Sequence, residues 1–283
     1  MWPVPLIILV MAVQTPQTNP LAQEAPHEDP SATAEQAPDR QPARMGRHHS
    51  FETSISHEAF GRSVPAARFV SVSTTIRVTD TLRLAASGQQ QQKFGRVETR
   101  AGAGVEWWPR EALDVAVDAL GGPGNEQLPA LDAGARVSYS RGRLELTGRI
   151  RHLRFQFPET NEWVLSPGLT VWLNDRFAIS GRAAEIVSRH QGVNDTIRDW
   201  SVALNSHVRL LAGVWLDGGY AHGLDGFDDP SPDRAARYSA HSVRVGTTLD
   251  MPWRTSLRLG GDEQWRTTGL QVRQLSISLA RRF

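Results

Sequence analysis

Leu131-Asp132-Ala133-Gly134-Ala135-Arg136-Val137-Ser138-Tyr139-Ser140 alternates without a break between an apolar set and a polar or small one. Successive side chains of an extended chain point to opposite faces. Leu131, Ala133, Ala135, Val137 and Tyr139 therefore share one face, and Asp132, Gly134, Arg136, Ser138 and Ser140 share the other. A helix would spread both sets around its circumference and give neither side a character. The stretch is a β-strand between two unlike surroundings, one oily and one charged.

The same period recurs on both sides of it. Val97, Thr99, Ala101, Ala103, Val105 and Trp107 interleave with Glu98, Arg100, Gly102, Gly104 and Glu106. Trp200, Val202, Leu204, Ser206, Val208 and Leu210 interleave with Ser201, Ala203, Asn205, His207 and Arg209. Marking every such run from Ser50 onward gives about fourteen strand candidates, with twelve as the alternative count, and most approach the ~9–11 residues that a tilted strand needs to cross a bilayer. Tight links such as Arg141-Gly142 and Asn174-Asp175 alternate with longer ones at 90–95, 121–129, 156–162, 189–197 and 223–237. That alternation is expected of an antiparallel transmembrane up-and-down barrel, with tight turns on the periplasmic side and longer loops outside.

A soluble sandwich also alternates, so a second observable is needed. With strand directions set by the loops, Phe155, Trp163, Trp200, Tyr220, Tyr238 and Trp265 fall near the long connections, and Trp107, Trp108, Tyr139, Phe177, Trp215 and Trp253 near the short ones. Two aromatic belts around an aliphatic band are expected at the two membrane interfaces, whereas a soluble core draws its large rings to the strand centres. The charges agree. Glu98, Arg100, Asp114, Asp118, Asp132, Arg136, Glu145, Arg149, Arg151, Arg182, Asp217, Arg244 and Arg258 share the polar phase of their strands, too many for a dry core. Glu98, Arg100, Asp114, Asp118, Asp132, Arg136, Arg149, Asp217, Arg244 and Arg258 are accordingly the candidate lumen-lining residues.

The flanks are of a different kind. Pro3 to Val13 is the one uninterrupted apolar run, too short to span a bilayer as a helix but of the length and position of a secretory signal peptide, expected over residues 1–22. Residues 23–49 are rich in Pro, Gln, Ala and acidic residues and are expected to form a disordered periplasmic linker ahead of the barrel at 50–283. His48-His49 is a doublet without further ligands close by and reads as a solvated pair.

The last residues are Leu275-Ser276-Ile277-Ser278-Leu279-Ala280-Arg281-Arg282-Phe283. An amphipathic final strand closing on Phe resembles the terminal strand of Gram-negative outer-membrane β-barrel proteins, and the resemblance implies that Phe283, Leu279 and Ile277 form the signal read by the barrel assembly machinery. Arg281 stands where that family often has an aromatic or aliphatic residue. In size and layout the chain is also similar to YaiO-type outer-membrane barrels.

Composition excludes other classes. Among 283 residues, 31 Lys and Arg stand against 30 Asp and Glu, a net charge of +1 that offers no basic surface for nucleic acid. Zero Cys removes disulfides, thiol catalysis and Cys-ligated zinc. There is no G-x-S-x-G, H-E-x-x-H or P-loop. Ser206 and His207 are adjacent on a strand, point to opposite faces and cannot form a nucleophile–base pair. Asp225, Asp228, Asp229 and Asp233 read as a solvated acidic loop tip, and Gln89-Gln90-Gln91-Gln92 as a polar one. Asp114, Asp118 and Asp132 with Arg136 and Arg149 read as charge-paired lumen lining in preference to an acid–base catalytic cluster. The expectation is a passive channel for small polar solutes with a mixed-charge lumen, not an enzyme and without a cofactor. A non-conducting structural barrel and a membrane-embedded hydrolase are the alternatives. The partners expected are the lipid bilayer, lipopolysaccharide and the barrel assembly machinery; oligomeric state is left open.

Overall fold

The computed structural model describes residues 49–60, 66–156, 159–191, 196–223 and 239–283. The signal peptide, the linker up to His48, the acidic tip at Asp225–Asp233 and Tyr238 lie outside the described residues. The strands are β1 (Ser50–Phe60), β2 (Ala67–Arg77), β3 (Leu82–Lys93), β4 (Arg96–Arg110), β5 (Leu113–Gly121), β6 (Leu131–Arg141), β7 (Leu144–Gln156), β8 (Glu159–Asn174), β9 (Phe177–His190), β10 (Thr196–Leu211), β11 (Val214–Gly223), β12 (Ala240–Met251), β13 (Thr255–Arg266) and β14 (Gln271–Arg282). Each pairs antiparallel with its sequence neighbours, and β1 pairs with β14 from Ser50↔Arg282 to Phe60↔Val272, closing the sheet into a barrel. Closure leaves no unpaired edge, the condition for backbone in hydrocarbon.

β1 begins and β14 ends at the rim that carries the tight turns, among them Glu111-Ala112, Gly142-Arg143, Asp175-Arg176 and Ala212-Gly213. Gly142 and Gly213 have φ of 58° and 73°, the left-handed conformation such turns require. At the opposite rim two connections expected to be long are short. β3 continues to Lys93 and turns at Phe94-Gly95, with φ of 53° and 78°, and β8 already begins at Glu159. Gln89 to Gln92 are thus strand and not loop tip. Beyond the apolar band the outward glutamine Gln90 is exposed while the inward Gln89 is buried against Arg100, so glutamine suits both faces and the alternation that marks a strand disappears.

Side chains of one phase are exposed aliphatics, such as Ile55, Val97, Val117, Leu146, Leu165, Leu204, Val245 and Ile277, and they cover the outside. A soluble protein does not expose apolar surface on this scale; acyl chains cover it. Trp107, Tyr139, Trp163, Trp200, Tyr220 and Trp265 belong to this outer surface. Phe155 and Trp215, expected in the lipid-facing belts, do not: both are buried and share an inward phase, Phe155 with Arg151 and Trp215 with Asp217. Trp108 likewise turns inward, beneath the Arg83 guanidinium. Proximity to a strand end does not decide the face of a residue; phase does.

Fourteen strands about 4.8 Å apart and tilted by ~40° close on a backbone cylinder of roughly 28 Å diameter. Among the described residues, extensive close backbone approach between strands is confined to ring neighbours, so the two walls have not collapsed onto each other.

Candidate channel lumen

The inward face is built of two unlike walls. On β3 to β7 it is dense with charge. Asp132 on β6, 0% exposed, accepts from Arg100 Nη1 on β4 at 3.1 Å and from Arg151 on β7, whose Nε lies 3.0 Å from Oδ1. Arg100 also donates to Gln89 on β3. Toward the tight turns, Arg136 on β6 donates to Glu106 on β4 at 2.9 Å and to Asp114 on β5 at 3.1 Å, and Arg83 approaches Glu106 at 3.5 Å. Contacts that skip a strand need a small residue between them. Ala116 stands between Glu106 and Arg136 in register, and at Gly134 an added Cβ would come 3.5 Å from Asp118 Oδ1 and 3.3 Å from Arg151 Cγ. Each pair named here joins strands no more than two apart, so this network lines one wall and does not bridge the lumen.

The facing wall is small and polar. One registered row runs His207, Asp217, Gly246, Gly260, Ser276 and Ser56 from β10 through β14 to β1. The next holds Thr248, Arg258, Ser278, Ser54 and Ser71, with Ser54 and Ser71 hydroxyls 2.5 Å apart. Ser276 is exposed although its neighbours in sequence, Leu275 and Ile277, point outward. Solvent therefore reaches this inner wall at Ser276, whereas Ser56, Ser71 and Thr248 of the same rows are buried.

At the rim with the longer connections, residues 122–130 are tied to the inward face of β4. Glu98, buried on β4, accepts the backbone N–H groups of Glu126, Gln127 and Leu128 at 2.7–3.1 Å, and Asn125 Nδ2 donates to the Thr99 carbonyl at 3.1 Å. Leu128 and Pro129 are buried as a result. Beside this loop Lys93, the chain's single lysine, is 4% exposed, 3.4 Å from Glu58, with its ammonium over the rings of Phe60 and Phe94. Sequence reading gave Lys93 no role; its inward phase, shared with Gln89 and Gln91, was the available signal.

At the tight-turn end, His207 on β10 bonds through Nδ1 to Asp217 on β11 and stacks on Trp215, ring centroids 4.8 Å apart. Trp215 packs with Trp172 and Ala178, and the Arg209 guanidinium lies over its ring at 5.3 Å. Ser206 turns outward toward the Gly218 carbonyl, so it and His207 stand on opposite sides of the wall.

The ten candidate residues all lie on inward phases. Arg100, Asp132, Arg136, Asp114 and Glu98 join the contacts described; Asp118 sits beside Arg151; Asp217 holds His207. Arg149 is registered with Arg136, and Arg244 and Arg258 stand on the small wall, registered with Asp262 and Ser278. Arg83, Glu106, Arg151, Trp172 and Trp215 belong to the lumen as well and were absent from that set. Their phase marked them, but partners two strands away are invisible in a linear pattern. Phe283 and Leu279 face outward, and the Phe283 N–H donates to the His49 carbonyl at 2.9 Å, extending the β1–β14 seam by one bond.

Solved structures share this architecture. A FadL homologue of Pseudomonas aeruginosa matches with a TM-score of 0.56 at 9% identity, over 83% of this chain and 90% of the other. The fold is that of the outer-membrane β-barrels. The Ralstonia pickettii toluene transporter TbuX matches with a TM-score of 0.52 at 10% identity, over 84% and 90% of the two chains. The loop L8 deletion mutant of OmpT, an outer-membrane protein of Vibrio cholerae, matches with a TM-score of 0.52 at 9% identity, over 83% and 98%. No family model matches the chain, and no curated protein does.

Proposed function

We propose that the chain resides in the outer membrane and is a narrow passive channel for small polar solutes. The observation that carries this reading is the asymmetry of the lumen: a dense network of ion pairs lines β3 to β7, while the wall from β11 to β2 intersperses serine and glycine with fewer charged residues and is open to solvent at Ser276. Solute passes along the small wall and meets Arg258, Arg244 and Asp262 there, a mixed-charge filter. That a toluene transporter shares the fold supports passage through such a barrel but does not carry its substrate over. The outward aliphatic band supports residence in a lipid bilayer, with lipopolysaccharide as the expected outer-leaflet neighbour, and the terminal Phe283 supports delivery by the barrel assembly machinery. The narrower affinity to YaiO-type barrels is proposed on size and layout.

A second reading has its own observation. Residues 122–130, tied by Glu98 to the inward face of β4 at one rim, favour a non-conducting structural barrel. Planar-bilayer recording of the purified chain separates the two. Discrete conductance steps are expected; their absence at high protein load overturns the channel and leaves the closed barrel.

A further inference from the structure

We infer that the outer surface of β7 to β9 carries a binding site for the phosphate headgroup of a membrane lipid. The inference rests on the membrane reading above. The registered rows of the outward face put Arg154, Asn161, Arg189 and Thr196 level with one another at the end of the strands far from the tight turns. One pleat nearer the membrane centre come His152, Trp163, Val187 and Arg198. The next row holds Ile150, Leu165, Glu185 and Trp200, and the aliphatic band begins there on β7 and β8. His152, Asn161, Trp163, Val187 and Arg189 line a recess of about 340 Å³ on this face.

The recess has the profile of an amphipathic phosphorylated ligand. Its upper part presents the Arg189 guanidinium, an imidazole and an amide. A guanidinium pairs with phosphate by two parallel N–H···O bonds, stronger than neutral contacts. Its middle is Trp163, half exposed and stacked on His152 with ring centroids 4.5 Å apart, which fixes the imidazole at the level where indoles sit in the membrane interface. Its floor, Val187 with Ile150 and Leu165 below, is apolar and continuous with the surface that acyl chains cover. A soluble anion uses only the upper part. A lipid whose headgroup ends in a phosphate monoester uses all three levels, and its phosphate then lies at Arg189. Among the described residues, the outward carboxylates nearest in register lie against exposed cations, Glu159 with Arg154 at 3.5 Å and Glu185 with Arg198 at 3.6 Å.

The test uses the full chain folded in detergent, titrated by native mass spectrometry with an acylated glucosamine disaccharide carrying two phosphates, and with the same lipid stripped of phosphate. The phosphorylated lipid is expected to bind at least about tenfold more tightly, and Arg189→Gln with His152→Gln to remove that preference. Arg141→Gln, on the outward face at the other rim, keeps it. Arg189→Lys, which retains charge but not the fork, is the milder variant and loses part of it. Equal binding of both lipids, or an unchanged preference in the Arg189 variants, overturns the site. Displacement of the lipid by inorganic phosphate at equal concentration overturns the lipid and leaves a free-anion site. Failure of the membrane reading registers separately, as a chain that never acquires compact, heat-sensitive migration in lipid or detergent.

Discussion

The guanidinium of Arg100 on β4 reaches the carboxylate of Asp132 on β6, 3.1 Å away, across the end of β5, where Gly122 offers no side chain in the way. Arg151 meets the same carboxylate from β7, so a single anion with no exposed surface holds two cations on either side of it. A buried pair adds little net stability over an apolar substitute, but removal of one partner strands the others.

Asp132→Ala is therefore expected to destabilise the barrel by about 3–5 kcal/mol, the cost of leaving buried charge without its partner. Urea unfolding in lipid measures it. A loss within experimental error of Ser138→Ala, on the same strand face, would contradict the role assigned to Asp132.

Glu98→Ala removes the acceptor for three backbone N–H groups of residues 126–128. The loop then loses about 1–3 kcal/mol of anchoring per group left unpaired in a buried setting. Single-channel conductance is expected to rise, with the barrel still folded. Unchanged conductance would mean that the loop does not limit passage.

Leu204 is 56% exposed and outward, and Asn205 beside it is inward. Leu204→Arg is expected to cost about 2–4 kcal/mol near the membrane midplane, and Asn205→Arg to be tolerated, as measured by unfolding in lipid. Equal effects would reverse the assignment of the two faces.

Deletion of Phe283 removes an exposed terminal ring and one seam hydrogen bond to His49. The bond alone is worth about 1 kcal/mol. On the proposal that the assembly machinery reads this ring, assembly in cells is expected to fall much more than refolding in detergent. Equal losses in both assays would assign Phe283 a structural role only.

The alternation that revealed the strands follows from the pleat itself, since each Cβ points opposite to its neighbour, and so which residues share a face was legible in the linear chain. Strand number and closure were legible too, because tight turns dictate antiparallel neighbours. Trp215 and Phe155 were misread where a rule about aromatic position outranked the phase they share with Asp217 and Arg151. What only the tertiary structure decided is how the inward residues use one another. The Arg100–Asp132–Arg151 group, the clasp of Glu98 on residues 126–128 and the Lys93–Glu58 pair depend on register between strands and on which intervening residue is small. Periodicity runs along one strand, whereas these contacts run across several, and their energy depends on distances that only the closed sheet sets.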